Sequence, residues 1–335
     1  MSDFVYQRLD VDNAHHLASA FHVARECELI NDGTSDTTLE SITAQVRGAD
    51  AWREAQRLVM YGDQPVGLLA VEKEDPAREV FLDVYAIGSR REEVMSTLMT
   101  HGVEQARRVA VDDVEAFLPA DSDPLEMNAG FWQATAATYT TDTAYVGVIE
   151  AHGFVPVRSF WRMILPLSDW SSTPPVAPPG VTVRVVDGEG DQRAMVRLRN
   201  ESFADHYGET VVHDFEDYLP RLLETPGCDP SRWWIAELDG EPVALCILDD
   251  SKIEFDESYV RTLGVVTSAR GRGIARWLLQ LAAADAVERG LAGLALSVDG
   301  ANTTGATRLY ESVGFRTRQQ IDLYCYPLVD SALSR

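Results

Sequence analysis

One stretch limits more than any other what this chain can become: Leu263-Gly264-Val265-Val266-Thr267-Ser268-Ala269-Arg270-Gly271-Arg272-Gly273-Ile274-Ala275-Arg276-Trp277-Leu278-Leu279. It begins as an apolar strand, turns through a basic glycine pair and continues as a helix with Ile274, Leu278 and Leu281 on one stripe. Glycine carries no Cβ, so the backbone at Gly271 and Gly273 can come close to a ligand. A helix N-terminus leaves several N–H groups without partners and carries the positive end of the helix dipole. That combination suits an anion such as a diphosphate, and Arg270 and Arg272 add charge for it. A tight strand-to-helix turn with solvated arginines is the other reading of the same residues.

The residues downstream favour the first reading. Arg270-x-x-Gly273-x-Ala275 has the form [Q/R]-x-x-G-x-[G/A]. One helix and one strand later come Val298, Asn302, Ala306, Leu309-Tyr310 and Gly314-Phe315. In this order the two motifs resemble the GNAT superfamily of N-acetyltransferases. The resemblance implies an α/β (α+β) fold whose central mixed, mostly antiparallel sheet is flanked by helices. It further implies an acyl-CoA, by expectation acetyl-CoA, as co-substrate, and no metal.

The order of elements occurs twice. A strand at Phe4–Leu9, helices beginning after Asn13 and Thr37, a hairpin through Gly62-Asp63, a strand over 80–85 and a helix over 92–109 make the first series. The capping residue of the second helix is read as Thr37, with Glu40 at capping-box spacing. After the proline-rich segment 168–180, which reads as a stiff linker, a strand at 181–185, two helices and a hairpin through Asp239-Gly240 begin the series again. Ile149-Glu150-Ala151-His152-Gly153-Phe154, closing at Pro166-Leu167, lines up with Tyr310 to Phe315, closing at Pro327-Leu328, at a constant spacing of 161 residues. Two tandem domains follow, residues 1–167 and 181–335. The pairing resembles the mycothiol synthase family of tandem GNAT transferases. The first domain reads as a degenerate, inactive copy and chiefly a structural partner, because Glu92 and Glu93 stand where a diphosphate would sit and Ile149 replaces Tyr310. Its extra chain, containing Ala129-Gly130-Phe131-Trp132, is expected to pack on the other domain, the alternative being to line an acceptor pocket.

Charge bounds the partners. A net charge of −24 argues against nucleic acid and anionic membrane surfaces, and favours cationic small molecules. No signal-like apolar run opens the chain, and Cys27, Cys228, Cys246 and Cys325 are too far apart for a zinc or disulfide framework, so a cytoplasmic setting is expected. The oligomeric state stays open; a tandem repeat can stand in for a dimer, so a monomer is compatible with the sequence.

Within the second domain the GNAT resemblance assigns roles. The loop from Arg270 through Gly271, Arg272, Gly273 and Ile274 to Ala275 would hold the diphosphate. The strand residues Leu263, Gly264, Val265 and Val266 would guide the pantetheine arm, with the Val265 N–H or a neighbour facing the thioester oxygen, and Asn302 would touch the cofactor. Tyr310 would protonate the departing thiolate; its other reading is a core aromatic. Many GNAT enzymes carry a glutamate eleven residues before the [Q/R] position, where this chain has Tyr259. Glu257 lies two residues earlier on the same strand face, with Asp205, His206 and Glu209 as alternatives for the base. The acidic run Asp249 to Glu257 would draw in a cationic amine, or simply keep a hairpin solvated. The expectation is an N-acyltransferase acting on a small cationic primary amine by direct attack in a ternary complex; a non-catalytic acyl-CoA sensor is the alternative.

Overall fold

The structure is a computed structural model of the chain, and it describes residues 3–33, 35, 37–47, 54–74, 78–109, 131–204, 212–225, 227–300 and 305–328. The chain forms two compact units. One is built from the residues up to Ser159 together with those from Ile321 onward, the other from Phe160–Gln320.

In the first unit the elements are β1 (Phe4–Arg8), α1 (Ala14–Asp32), α2 (Leu39–Arg47), β2 (Arg57–Tyr61), β3 (Gln64–Glu74), β4 (Glu79–Ala86), α3 (Arg91–Val109), β5 (Gln133–Tyr139) and α4 (Thr143–Ala151). Asn13 caps α1 as its position implies, accepting from the N–H groups of His15 and His16. The cap of α2 falls one residue later than expected: Thr38 and Ser41 bond each other's N–H through their hydroxyls. A serine side chain reaches back to the cap as a glutamate would, so the reciprocal geometry survives the shift. Strands β1 to β5 pair in chain order, all antiparallel except β4 with β5. Burial along β4 alternates strictly, so Val80, Leu82, Val84 and Ala86 face the core under α3, while Tyr85 packs on the side of α1 and α2.

The second unit repeats the pattern with β7 (Val181–Val185), α5 (Gly188–Phe203), α6 (Phe215–Leu223), β8 (Cys228–Leu238), β9 (Glu241–Asp249), β10 (Glu257–Val265), α7 (Ile274–Glu288), β11 (Gly293–Asp299) and α8 (Ala306–Val313). Again one pair, β10 with β11, is parallel and its neighbours are antiparallel. Trp233, Leu245, Ile247, Leu278 and Leu279 lie in its core, each at 0–1% exposure.

The compact units are not cut where the chain-order reading divides the sequence. Strand β6 (Val155–Pro166) precedes the proline-rich segment, yet its residues Phe160 to Pro166 pair with β11 of the second unit. Strand β12 (Arg316–Pro327) ends the chain, yet Ile321 to Pro327 pair with β5 of the first. Each unit thus takes its sixth strand from the other half of the sequence. Both strands close with Pro-Leu, and a backbone ladder does not distinguish which half supplies the partner. The proline-rich segment itself lies on the second unit: Trp170 and Ala177 pack against its core, and Trp277 Nε1 donates to the Pro175 carbonyl at 3.1 Å. Trp132, at the end of the extra chain of the first half, is buried in the first unit's own core, not on the other domain as expected, and Ala129 and Gly130 lie outside the described residues.

Candidate functional site

Strands β10 and β11 pair only from Glu257↔Gly293 to Val260↔Leu296. Beyond that point β10 continues to Val265 against β9, with a bulge at Arg261, and β11 continues to Asp299 against β6. A bulge bends and twists its strand, and the two parallel strands separate into an open wedge. Val266 N–H donates to the Val243 carbonyl at 2.9 Å. By the alternation of an antiparallel ladder, the main-chain groups of Leu263 and Val265 then face the wedge, while those of Gly264 and Val266 face β9. Leu263 and Val265 thus turn main-chain groups toward the wedge, the Val265 carbonyl accepting from Arg270, whereas the Val266 N–H is spent on β9.

Gly264 has a different reason to be glycine. A Cβ there would stand 2.8 Å from Ser202 Cβ and 2.8 Å from Leu245 Cδ2, so its absence lets α5 pack directly on β10.

At the mouth of the wedge lies the glycine loop. Gly271 and Gly273 have φ of +77° and +81°, a left-handed conformation that only glycine adopts cheaply, and a Cβ on either would meet nothing within 4 Å. No side chain caps α7. The N–H groups of residues 271 to 276 donate no hydrogen bond among the described residues; the first used amide of the turn is that of Trp277, to the Gly273 carbonyl. Amides that find no partner among the described residues, running through left-handed glycines into a helix N-terminus, are an arrangement that suits an anion.

The two loop arginines divide the work. Arg272 is exposed, with no ion pair among the described residues. Arg270 is folded inward: Nε donates to the Val265 carbonyl at 3.2 Å and Nη2 to the Ser202 carbonyl at 2.9 Å. Its side chain joins the end of α5 to the end of β10 rather than pointing charge at an anion. Arg276 ties α7 to α8 through the Ser312 carbonyl and hydroxyl.

Tyr310 stands on α8, half-buried, with its ring 5.8 Å from that of Phe315. Burial pushes its phenol up to about 12, with the neighbouring Cys246 and Tyr259 adding to the rise. None of the described residues hydrogen-bonds its hydroxyl. Tyr259 thus shares the surroundings of Tyr310, and the Arg261 guanidinium lies 6.0 Å from the Tyr259 ring. Glu257 is placed elsewhere. It occupies the closed end of the wedge, 6% exposed, and Arg318 Nη2 donates to its Oε1 at 2.6 Å. It is a partnered carboxylate, and it lies eight positions from Val265, about 26 Å along an extended strand.

The rest of the acidic run is likewise largely neutralised. Asp249 is paired with Arg261, and Asp250 with Arg232 and Arg289. These carboxylates hold the end of the second unit together, while Glu254 and Asp256 of the same run are exposed. Asn302, Asp205, His206 and Glu209 lie outside the described residues. Among the described residues no group of three or more His, Cys, Asp or Glu could hold a metal ion, and the four cysteines are free thiols. Sequence reasoning missed Ser202 as the neighbour of Gly264, the structural use of Arg270, and Arg318 on Glu257. A glycine inside a strand was the one available sign of the first.

The first unit has the same wedge but not the same loop. Strand β4 pairs with β5 only through Glu79 to Phe81, then runs on to Ala86. Four residues separate β4 from α3, against eight between β10 and α7. The shorter turn has no room for the glycine cradle, and Arg90 there binds Glu93 across one helical turn. The acidic residues opposite the diphosphate in an ungapped comparison thus belong to a truncated turn.

Residues 193–315 match the model of the acetyltransferase (GNAT) family. The mycothiol acetyltransferase of Thermomonospora curvata is 35% identical over 173 residues, which is 52% of this chain and 56% of that protein. The chain thus spans little more than half the length of this relative. Two solved structures share the fold over nearly the whole chain. A GCN5-related N-acetyltransferase from Sphaerobacter thermophilus has a TM-score of 0.75 at 22% identity, covering 98% of this chain and 96% of that one. A tandem GNAT protein from the clavulanic acid biosynthesis pathway has a TM-score of 0.70 at 13% identity, covering 97% and 98%.

Proposed function

We propose that the unit Phe160–Gln320, whose residues 193–315 match the GNAT acetyltransferase model, transfers an acetyl group from acetyl-CoA to a small, cationic primary amine by direct attack in a ternary complex. The observation that carries the reading is the run of amides from Gly271 to Arg276, which find no partner among the described residues, opening onto the splay of β10 and β11. That cradle fits a diphosphate, and the groups of Leu263 and Val265 facing the wedge fit an amide-bearing arm; the bound co-substrate would supply an acyl group activated as a thioester. Arg272 adds a mobile cation at the cradle, and Arg270 keeps α5 and β10 in register around it.

Tyr310 holds its proton throughout the neutral range, because its phenol is raised to about 12. A thiol has an ordinary value near ~8.5, so full proton transfer from this phenol would run uphill. The physically favoured role is a hydrogen bond from Tyr310 Oη to a departing thiolate, worth about 1.5–3 kcal/mol as a bond to a charged group. A base at Glu257 would first have to give up Arg318. The first unit is a degenerate copy on this reading, lacking the cradle. The similarity to mycothiol acetyltransferase suggests an amine on a sugar-like scaffold as the first acceptor to try. Thiol release from acetyl-CoA, followed with a chromogenic disulfide across a panel of primary amines, tests the proposal. Amine-dependent release supports it. Binding of acetyl-CoA with no release for any amine would make the protein a sensor instead.

A further inference from the structure

Two ion pairs flank Tyr259, and both are turned the same way. Along β10 the charged neighbours of Tyr259 are Glu257 before it and Arg261, the bulged residue, after it. Gly293 identifies the face they occupy. A Cβ there would meet Glu257 Cγ at 3.1 Å and Ile164 Cδ1 at 2.7 Å, on the side of the sheet away from Leu294 and Leu296, which belong to the core beneath α7. The Arg261 guanidinium keeps to the Tyr259 side: it bonds Asp249, the register partner of Tyr259, and lies 6.0 Å from the Tyr259 ring.

In both pairs the carboxylate is the inner member and the guanidinium the outer one. The side chains of Asp249 and Glu257 are 2% and 8% exposed, those of their partners Arg261 and Arg318 30% and 43%. The exposed carboxylates of this run, Glu254 and Asp256, belong to the turn before β10, at the closed end of the wedge. Around Tyr259 itself the outward charge is therefore positive, in a chain of net charge −24. Arg261 spends Nε on Asp249, whose Oδ1 also accepts from the Ser251 N–H at 2.9 Å; its two terminal nitrogens donate to nothing among the described residues. A guanidinium is a planar fork of five donors, so this one keeps an edge suited to a second carboxylate. The face beside it is open. Ala295 is the register partner of Tyr259 on β11, and Ser297, the next residue on that face, is exposed although its strand lies inside the sheet and pairs with β6. Tyr259 in turn is close enough to Tyr310 to act on its phenol, so Arg261 stands one side chain away from the group proposed to meet the departing thiolate.

We infer that the acceptor is a primary amine that carries a carboxylate a few bonds away, and that Arg261 receives this carboxylate beside Tyr259, with Arg318 adding to the positive field. The inference rests on the acyl-transfer reading and narrows its small cationic amine to a zwitterion.

β-Alanine and propylamine test this, since they match in length and closely in amine basicity and differ in the carboxylate. With the full chain and acetyl-CoA, thiol release should favour β-alanine over propylamine in kcat/KM by at least about tenfold, the gain from one bond to a charged group. Arg261→Gln alone would leave Asp249 buried without its cation, so the deciding variant combines Arg261→Gln with Asp249→Asn, which removes both charges and nearly keeps both shapes. In it the ratio should fall to within about threefold. Arg261→Lys, which keeps the charge and loses the fork, should give an intermediate ratio. No preference for β-alanine in the unaltered protein, or an unchanged ratio in the double variant, would overturn the inference and leave acyl transfer in place. Saturation-transfer NMR with the two amines separates the two readings. Binding of β-alanine above propylamine that is lost in the double variant, without thiol release, would end the acyl-transfer reading and keep the carboxylate site; equal binding of both without release would end both. The preference measured in the unaltered protein decides if a variant fails to fold.

Discussion

Replacing Arg270 by methionine separates two accounts of the glycine loop. If the side chain were a phosphate ligand, the cofactor-free protein would not miss it. The structure instead gives Arg270 two hydrogen bonds to carbonyls, at 3.2 Å to Val265 and 2.9 Å to Ser202. Bonds from a charged donor contribute about 1.5–3 kcal/mol each, and partial exposure with one long bond puts the pair at roughly 2–4 kcal/mol. For a unit of this size each kcal/mol moves the Tm by about 2–4 °C, so a fall of roughly 4–16 °C is expected without any ligand. Methionine keeps the apolar stem, so lost packing adds little. Differential scanning calorimetry of the ligand-free proteins reads the effect, and titration of coenzyme A reads its consequence. An unchanged Tm together with a tenfold loss of affinity would refute the reasoning and return Arg270 to the phosphates.

Gly264→Ala should cost about 1–3 kcal/mol in thermal denaturation, because the new methyl lies 2.8 Å from Ser202 Cβ and Leu245 Cδ2; an unaffected Tm would mean that α5 does not rest on β10. Tyr310→Phe should lower turnover roughly 10- to 150-fold with little change in acetyl-CoA affinity. Since its phenol is raised to about 12, the unaltered enzyme should show no loss of rate from this group between pH 6 and 10; a deprotonation of Tyr310 seen by ultraviolet titration in that range contradicts the assignment. Asp83 bears on stability as well. A carboxyl raised from 3.8 to about 6 opposes folding above pH 6, and that penalty vanishes as pH falls towards 4. Asp83→Asn should therefore stabilise the protein at pH 7–8 by about 1–3 kcal/mol in urea unfolding, and have no stabilising effect near pH 4.

The elements were legible because their signals are local. Asn13, the turns at Gly62-Asp63 and Asp239-Gly240, and the strand-to-helix switch around Gly271 all act within a few residues. So were the two left-handed glycines of that turn, Gly271 and Gly273. The exchange of terminal strands was not legible, because Phe160–Pro166 and Ile321–Pro327 offer similar edges to either sheet. Net charge also misled in detail: Asp249, Asp250 and Glu257 look like a free acidic run, and only the folded chain brings Arg261, Arg232, Arg289 and Arg318 to them. The four-residue difference between the two strand-to-helix turns was hidden for a similar reason. An ungapped comparison cannot see where a strand ends.

Calorimetric titration of coenzyme A into the protein and into Gly273→Glu bears most directly on the six-amide cradle. Gly273 sits at φ +81° among amides with no partner among the described residues, so a glutamate there both strains the turn and brings a negative charge to the proposed anion site. One equivalent should bind the unaltered chain, and affinity should fall at least a hundredfold in the variant. Equal affinity in both proteins, or no binding to the unaltered chain, would contradict the account.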